Sequence, residues 1–208
     1  VEFFLCNIKK INQSITEEQP QKEFYLDIMT TTEHFEKIVA GCLEIFEKKT
    51  KDYGTAWRIL RLPSITDQIY IKAKRIRSIQ EKGTQKVQSL GDDIISEFKG
   101  IINYCVMAII QSEIAENAPL ELPVEEVVIA YHKVVSEVMG LLGNKNHDYG
   151  EAWRDMRVSS MTDIILMKLL RIKQIEDNEG KTLISEGLKA NYQDIINYAV
   201  FCLIKLDA

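Results

Sequence analysis

Apolar residues recur at helical spacing through six stretches of the chain, residues 32–49, 65–81 and 90–110, then 124–142, 161–177 and 184–206. Each carries the three-and-four alternation that gives a helix one apolar face. The pattern predicts an all-α fold. The two sets of three stretches are copies of each other. KDYGTAWRILRLPSITDQIYIKAKRIRSI lies 96 positions before HDYGEAWRDMRVSSMTDIILMKLLRIKQI, and from Asp52 to Ile79 there are 15 identities in 28 positions. Two residues are then lost from the connecting loop. The register resumes at an offset of 94, where GIINYCVMAII aligns with DIINYAVFCLI. Chance likeness between helices does not reproduce a DYG, a Trp, two Arg and a Lys in fixed order, so the chain is a tandem duplication of a three-helix unit.

The predicted organisation is an N-terminal extension over 1–30, a first helical repeat over 31–112, a linker over 113–123 and a second repeat over 124–208. The linker is marked by two prolines within 117–123, which would break a helix. A unit of three short helices leaves apolar surface uncovered. The repeats are therefore expected to pack as a pseudo-twofold helical bundle, the form a homodimer takes when its gene duplicates and fuses. Association of whole chains into a homo-oligomer is compatible with this pattern.

Composition narrows the picture further. With 46% hydrophobic and 27% charged residues the chain is an ordinary globular one, and only four prolines and ten glycines lean towards helix. A net charge of −5 argues against broad capture of nucleic acid, which needs a basic surface to displace counterions, although local Lys/Arg clusters can still hold a phosphate. Cys6, Cys42, Cys105 and Cys202 form no CxxC pair and sit in apolar surroundings, so they read as reduced core residues of a cytoplasmic protein. The apolar stretch 1–8 lacks a basic flank and a small-residue cleavage site, and no run reaches the roughly 18 apolar residues of a membrane span. No membrane partner is expected.

Several repeated residues carry candidate chemistry. Tyr53 and Trp57, with Tyr149 and Trp153, flank a glycine turn, and Arg58/Arg154 and Arg61/Arg157 follow. Aromatic faces beside guanidinium groups suit a base and a phosphate, while a plain capping turn with a core Trp explains the same residues. Ser64-x-x-Asp67 and Ser160-x-x-Asp163 read as capping boxes heading the second helices. On those helices Lys72 falls inside the apolar stripe of Ile69, Ile76 and Ile79, with Arg75 at its edge, and Lys168 and Arg171 repeat the arrangement. A charge kept in such a stripe either snorkels to solvent or meets an opposite charge, a carboxylate or a phosphate. The third helix offers carboxylates. Glu186, Ala190, Asp194 and Asn197 lie within about 80° on the wheel, and the first-repeat equivalents are Asp92, Ser96, Gly100 and Asn103. Such a stripe suits magnesium or an interhelical salt-bridge network. Glu44 and Glu47 put two carboxylates on one side of the first helix, where the second repeat has Gly140 and Gly143.

DYGxxW, a K-x-x-R helix and a third helix ending D-x-x-N-Y resemble the nucleotide modification associated domain family, over nearly all of residues 31–206. More distantly the chain is similar to the all-α NTP pyrophosphohydrolases of the MazG type. The second resemblance implies an ExxE and an ExxD binding magnesium at a triphosphate. Glu44 and Glu47 match the first pair in the first repeat only. Glu97-x-x-Gly100 keeps the Glu of the second pair, and Asn191-x-x-Asp194 keeps its Asp.

The functional expectation is a nucleotide-handling protein with a small-molecule nucleotide as partner. One form is a magnesium-dependent (d)NTP pyrophosphohydrolase-like enzyme. In it Glu44, Glu47, Asp92, Glu97, Glu186 and Asp194 supply the metal ligands, Lys72, Arg75, Lys168, Arg171, Arg154 and Arg157 hold phosphates, and Tyr53, Trp57, Tyr149 and Trp153 hold the base. The alternatives are a nucleotide-binding module without turnover and a purely structural helical protein.

Overall fold

The computed structural model describes residues 19–82, 90–115, 117–182, 184 and 186–207, and the side chains of 31–82, 93–115, 117–143, 150–182, 184 and 186–206. Six α-helices account for the regular structure of these residues, with no strand among them: α1 (Gln19–Tyr53), α2 (Leu62–Glu81), α3 (Leu90–Glu113), α4 (Val124–Tyr149), α5 (Val158–Asp177) and α6 (Leu188–Asp207). The all-α expectation holds. Among the described residues no helix is long and apolar enough to cross a membrane.

The chain divides into two compact units, residues 1–36 and 37–208. The described part of the first is helical, the leading portion of α1, so helix occupies 19–30, within the extension for which no element was predicted. Both copies of the duplicated DYG-to-NY segment lie in the second unit.

Within that unit α2 packs on α3 and α5 packs on α6, as the order of the repeat predicts. The remaining contacts pair each helix with its own counterpart, α2 with α5 and α3 with α6, while α4 lies against α3 and α6. On α2 the fully buried residues Ile65, Ile69, Ala73 and Ile76 are spaced four, four and three apart, one helical face. On α5 Met161, Ile165, Leu169 and Ile172 occupy the equivalent places and are equally buried. The central helices α3 and α6 are buried nearly all round, through Phe98, Ile101, Ile102, Cys105, Val106 and Ile109 on one and Ile195, Ile196, Ala199, Val200 and Cys202 on the other. Burial pushes the thiols of Cys42 and Cys202 up to about 12, and Cys105 well above its ordinary value, so all three are unreactive core residues.

The polar contacts across the α2–α5 seam are reciprocal. Asp67 pairs with Lys173, and Asp163 pairs with Arg77 at 3.5 Å. Position 163 is the equivalent of 67, and 173 that of 77. Gln80 Nε2 donates to Thr162 Oγ1 at 3.1 Å, while Thr66 Oγ1 donates to Glu176 Oε1 at 2.6 Å, again the same two positions exchanged. Residue i meeting j′ while j meets i′ is the signature of a twofold relation. The two seams differ at one place. Tyr192 OH lies 2.7 Å from Thr66 Oγ1, and its equivalent, Phe98, has no hydroxyl.

This seam corrects the capping-box reading. The second helices begin at Leu62 and Val158, with Arg61 and Arg157 as uncapped leading residues and Pro63 in the first turn of α2. Ser64 and Ser160 are therefore inside the helix, and Asp67 and Asp163 serve the cross-repeat ion pairs. Proline, preset for the first helical turn and lacking the N–H that would be unpaired there, starts α2 three residues before an apolar-pattern reading does.

The turn after each first helix needs its glycine. Gly54 and Gly150 have φ of +59° and +61°, where a β-carbon is strained. A short 3₁₀ turn follows, Ala56–Ile59 or Ala152–Asp155. In both repeats the third helix braces it. Gln111 Nε2 donates to the Arg58 carbonyl at 3.3 Å, and its equivalent Lys205 donates to the Arg154 carbonyl.

Ile69→Ala and Ile165→Ala are each expected to cost about 2–5 kcal/mol of folding stability, the range for emptying a fully buried aliphatic site. Asp67→Asn, in a pair open to solvent, should cost under about 1 kcal/mol. Chemical denaturation of the three variants checks the ranking. A second expectation concerns pH. Burial raises the Glu176 carboxyl above its ordinary range, against the hydrogen bonds from Thr66 and Tyr192 that lower it. A raised folded-state value means that the stability it contributes is present below the ordinary carboxyl range and is lost as pH rises through the folded value. Glu176→Gln, which installs the first repeat's own residue, should therefore raise Tm at neutral pH and lose that advantage below about pH 4. A Tm gain that stays constant from pH 4 to 8 would contradict this.

Candidate functional site

The lysine set into the apolar stripe of the second helix meets a carboxylate of the third helix in both repeats. In the first, Lys72 Nζ lies 2.9 Å from Glu97 Oε2, and Arg75 Nη1 lies 2.7 Å from Glu97 Oε1, with Asp93 3.4 Å from Nη2. In the second, Lys168 Nζ lies 2.6 Å from Asp194 Oδ2. The two carboxylates occupy different rungs. Glu97 corresponds to Asn191 and Gly100 corresponds to Asp194, so each repeat keeps one acid, one turn apart. Asn191 turns instead to the start of its helix, donating to the Gly187 carbonyl at 2.9 Å. Lys72 takes the room that Gly100 leaves. A β-carbon there would stand 2.9 Å from Lys72 Cε and 3.0 Å from Nζ.

Around Lys72 the helices leave a pocket of about 190 Å³. Helix α1 contributes Ile45, Phe46 and Lys49; α2 contributes Lys72; α3 contributes Ser96, Lys99, Gly100, Asn103, Tyr104 and Met107. Among the described residues three ammonium groups line it and no carboxylate does. Glu97 stands behind Lys72, facing Arg75 as well. Asn103 fixes the frame, donating through Nδ2 to the Cys42 carbonyl at 3.0 Å and accepting the Tyr131 hydroxyl at 2.8 Å, which ties α1, α3 and α4 together. Lys49 and Lys99 escape a sequence reading because they stand on different helices. Comparison of the repeats carries a signal for one of them, since Lys99 becomes Gln193.

The other phosphate candidates are dispersed. Arg171 is exposed, and Arg157 is exposed at the start of α5. Arg154 sits over the Trp153 ring at 4.7 Å and donates to Glu151. Of the base-binding candidates, Tyr53 is exposed, Trp57 is half-buried, and the side chain of Tyr149 lies outside the described residues. Trp153 is a core residue, 6% exposed and stacked on Phe201 at 4.4 Å.

The metal candidates are not gathered. Among the described residues no three of His, Cys, Asp and Glu come together to hold an ion. Glu44 points to solvent and pairs with Lys48 at 2.6 Å, which holds its carboxyl below the ordinary range. Glu47 is half-buried. The side chain of Asp92 lies outside the described residues. Glu186 corrects the helical-wheel placement: α6 begins at Leu188, so Glu186 precedes the helix, is exposed, and shares no face with Asp194. Gly187, costly to hold inside a helix, stands just before that start.

The interrepeat segment is docked on the first glycine turn. The Glu121 carboxylate accepts from the Thr55 N–H at 3.2 Å and fills the space where a Gly54 β-carbon would be. Thr55 Oγ1 donates to the Leu120 carbonyl at 2.8 Å, and Arg58 donates to that of Pro119. At Gly150 the equivalent space is open.

The family model described as nucleotide modification associated domain 1 matches the chain twice, over residues 49–112 and 145–206. No curated protein matches the chain, and no solved structure does.

The two acids should differ in what their loss costs. Lys168 and Asp194 are 10% and 14% exposed, so Asp194→Asn strands a buried ammonium and is expected to cost about 3–5 kcal/mol. Lys72 and Arg75, 26% and 55% exposed, reach water when Glu97 is removed, and Glu97→Gln should cost less than Asp194→Asn. Urea denaturation of both variants tests the order, and a larger loss for Glu97→Gln would refute it.

Proposed function

Because the chain belongs to the nucleotide modification associated domain 1 family, we propose that it is a nucleotide-binding protein that holds its ligand's phosphates at the cationic pocket of the first repeat. The observation that carries this reading is the convergence of Lys49, Lys72 and Lys99 on one pocket with no lining carboxylate among the described residues. Ammonium groups act on phosphate as point charges, and the half-buried setting of Lys72 and Lys99 strengthens those two. Tyr104, whose ring lies 5.9 Å from Lys72 Nζ, offers an aromatic edge at the same place.

Binding without turnover is the form that the ion pairs favour. Phosphoryl or pyrophosphoryl cleavage through magnesium requires carboxylates free to hold the metal. Glu97 is engaged by Lys72 and Arg75, Asp194 by Lys168, and Glu44 by Lys48. A magnesium-dependent pyrophosphohydrolase would have to release Glu97 from two cations before it could ligate metal.

A thermal-shift series over ribo- and deoxynucleotides, with and without magnesium, tests the proposal. A binding nucleotide should stabilise the chain by about 2.7 kcal/mol at a hundredfold excess over Kd, and Lys72→Met should abolish the shift. Pyrophosphate released on incubation with any binding nucleoside triphosphate and magnesium would replace this reading with the hydrolytic one. No shift with any nucleotide would leave a structural protein.

A further inference from the structure

Resting on that reading, we infer that the chain has a single phosphate site, in the first repeat, that it receives the terminal phosphate of its ligand while the nucleoside stays outside, and that Gly100 keeps it open. The second repeat shows how the same site closes. In place of Lys99 it has the uncharged Gln193, 6% exposed. In place of Gly100 it has Asp194, whose carboxylate lies 2.6 Å from Lys168 and cancels the one cation that corresponds to Lys72. In place of Met107 it has Phe201, packed flat on Trp153. Charge, floor and far wall have all changed, and each change removes something an anion needs.

In the first repeat the absence of a side chain at position 100 is what places Lys72. Its Cδ, Cε and Nζ run 2.9–3.1 Å from where a β-carbon would be, so any larger residue displaces the ammonium from the pocket floor. Glu97 tethers the same nitrogen from behind, at 2.9 Å, and fixes its position before any ligand arrives.

Size sets the ligand class. Pockets that enclose a whole drug-sized molecule run to about 300–1,000 Å³. At about 190 Å³ this one has room for a phosphate and the first atoms of a sugar, and a complete nucleoside triphosphate does not fit. A phosphate monoester, a dianion near neutral pH, matches three ammonium groups of which one, Lys72, is partly satisfied by Glu97 from behind.

Isothermal titration of the full chain with inorganic phosphate, a deoxynucleoside 5′-monophosphate and the corresponding nucleoside tests the inference. The variants are Gly100→Asp and Lys99→Gln, which install the residues that the second repeat carries in the same register. Circular dichroism and Tm of each variant confirm that it is folded. The expected result is one monophosphate per chain, no binding of the nucleoside, and at least tenfold weaker monophosphate binding in both folded variants. Binding of phosphate alone as tightly as the monophosphate identifies the phosphate group as the whole determinant and supports the site. Two equivalents per chain, binding of the bare nucleoside, or unchanged affinity in Gly100→Asp overturns it. Nucleotide binding that survives both substitutions keeps the nucleotide reading and removes this site, whereas no binding of any nucleotide by the unmodified chain removes both.

Discussion

The apolar faces of α2 and α5 meet only because the repeat occurs twice. Ile65, Ile69, Ala73 and Ile76 are fully buried on a helix whose own repeat supplies one packed neighbour, α3; the second neighbour is α5, its copy. Burying an aliphatic side chain contributes about 1.5–3 kcal/mol, so a single unit that left this row in water would lose much of a domain's net stability. The reciprocal pairs Asp67–Lys173 and Asp163–Arg77 flank the seam and fix its register, although exposed pairs of this kind add little energy themselves. The third helices α3 and α6 pack against the seam helices and against each other. Helices α3 and α6 are buried all round because they lie beneath it and against each other.

Duplication also changes what each copy must keep. A homodimer has two equal sites, and a substitution that damages one damages both. Once fused, the copies diverge separately, and the acid beside the stripe lysine records this. Glu97 with Gly100 and Asn191 with Asp194 are two solutions to one electrostatic requirement, that a cation within an apolar face be met by a carboxylate. They have opposite consequences for the space around the cation. Asp194 reaches its lysine from the rung that Gly100 leaves vacant, and so occupies the volume that is a pocket in the first repeat.

The fold was legible in the sequence because it rests on two periodicities that survive without coordinates, the apolar spacing within helices and the 96-residue repeat. Helix starts were less legible. Pro63 and the extended Arg61 and Arg157 set them two residues before Ser64 and Ser160, and an [ST]xx[DE] pattern looks the same inside the first turn of a helix as at its head. The wheel put Lys72 and Lys168 inside the apolar stripe and left solvent and an opposite charge both open; Asp194 lies on the polar stripe it marked, whereas Glu97 lies off the stripe of Asp92, Ser96, Gly100 and Asn103. It misjudged Glu186, since a wheel assumes that the helix is present, and α6 begins two residues later. Lys49 and Lys99 were not legible as a pair. They stand on different helices, and only the packing of α1 on α3 joins them. Trp153 shows the reverse case. Its ring reads as a base platform beside Arg154, but Phe201, 48 residues away, has already taken one of its faces.

Helix α2 carries two functions on adjacent faces, and the geometry keeps them separate. Residues 65, 69, 73 and 76 pack into the core, while 72 and 75 lean towards α3 and its acid. On α5 the same two faces exist, but the second is neutralised and sealed, with Lys168 only 8% exposed. A lysine enclosed to that degree is met by its counter-ion within the fold. A lysine 26% exposed over a glycine, with two further lysines around the same opening, has one side still to be satisfied. The difference between the copies is therefore a difference in what surrounds the stripe lysine, and in the first repeat two further ammonium groups stand at the same opening. The proposed phosphate site rests on that local cation cluster, in a chain whose net charge of −5 argues against broad capture of a long polyanion.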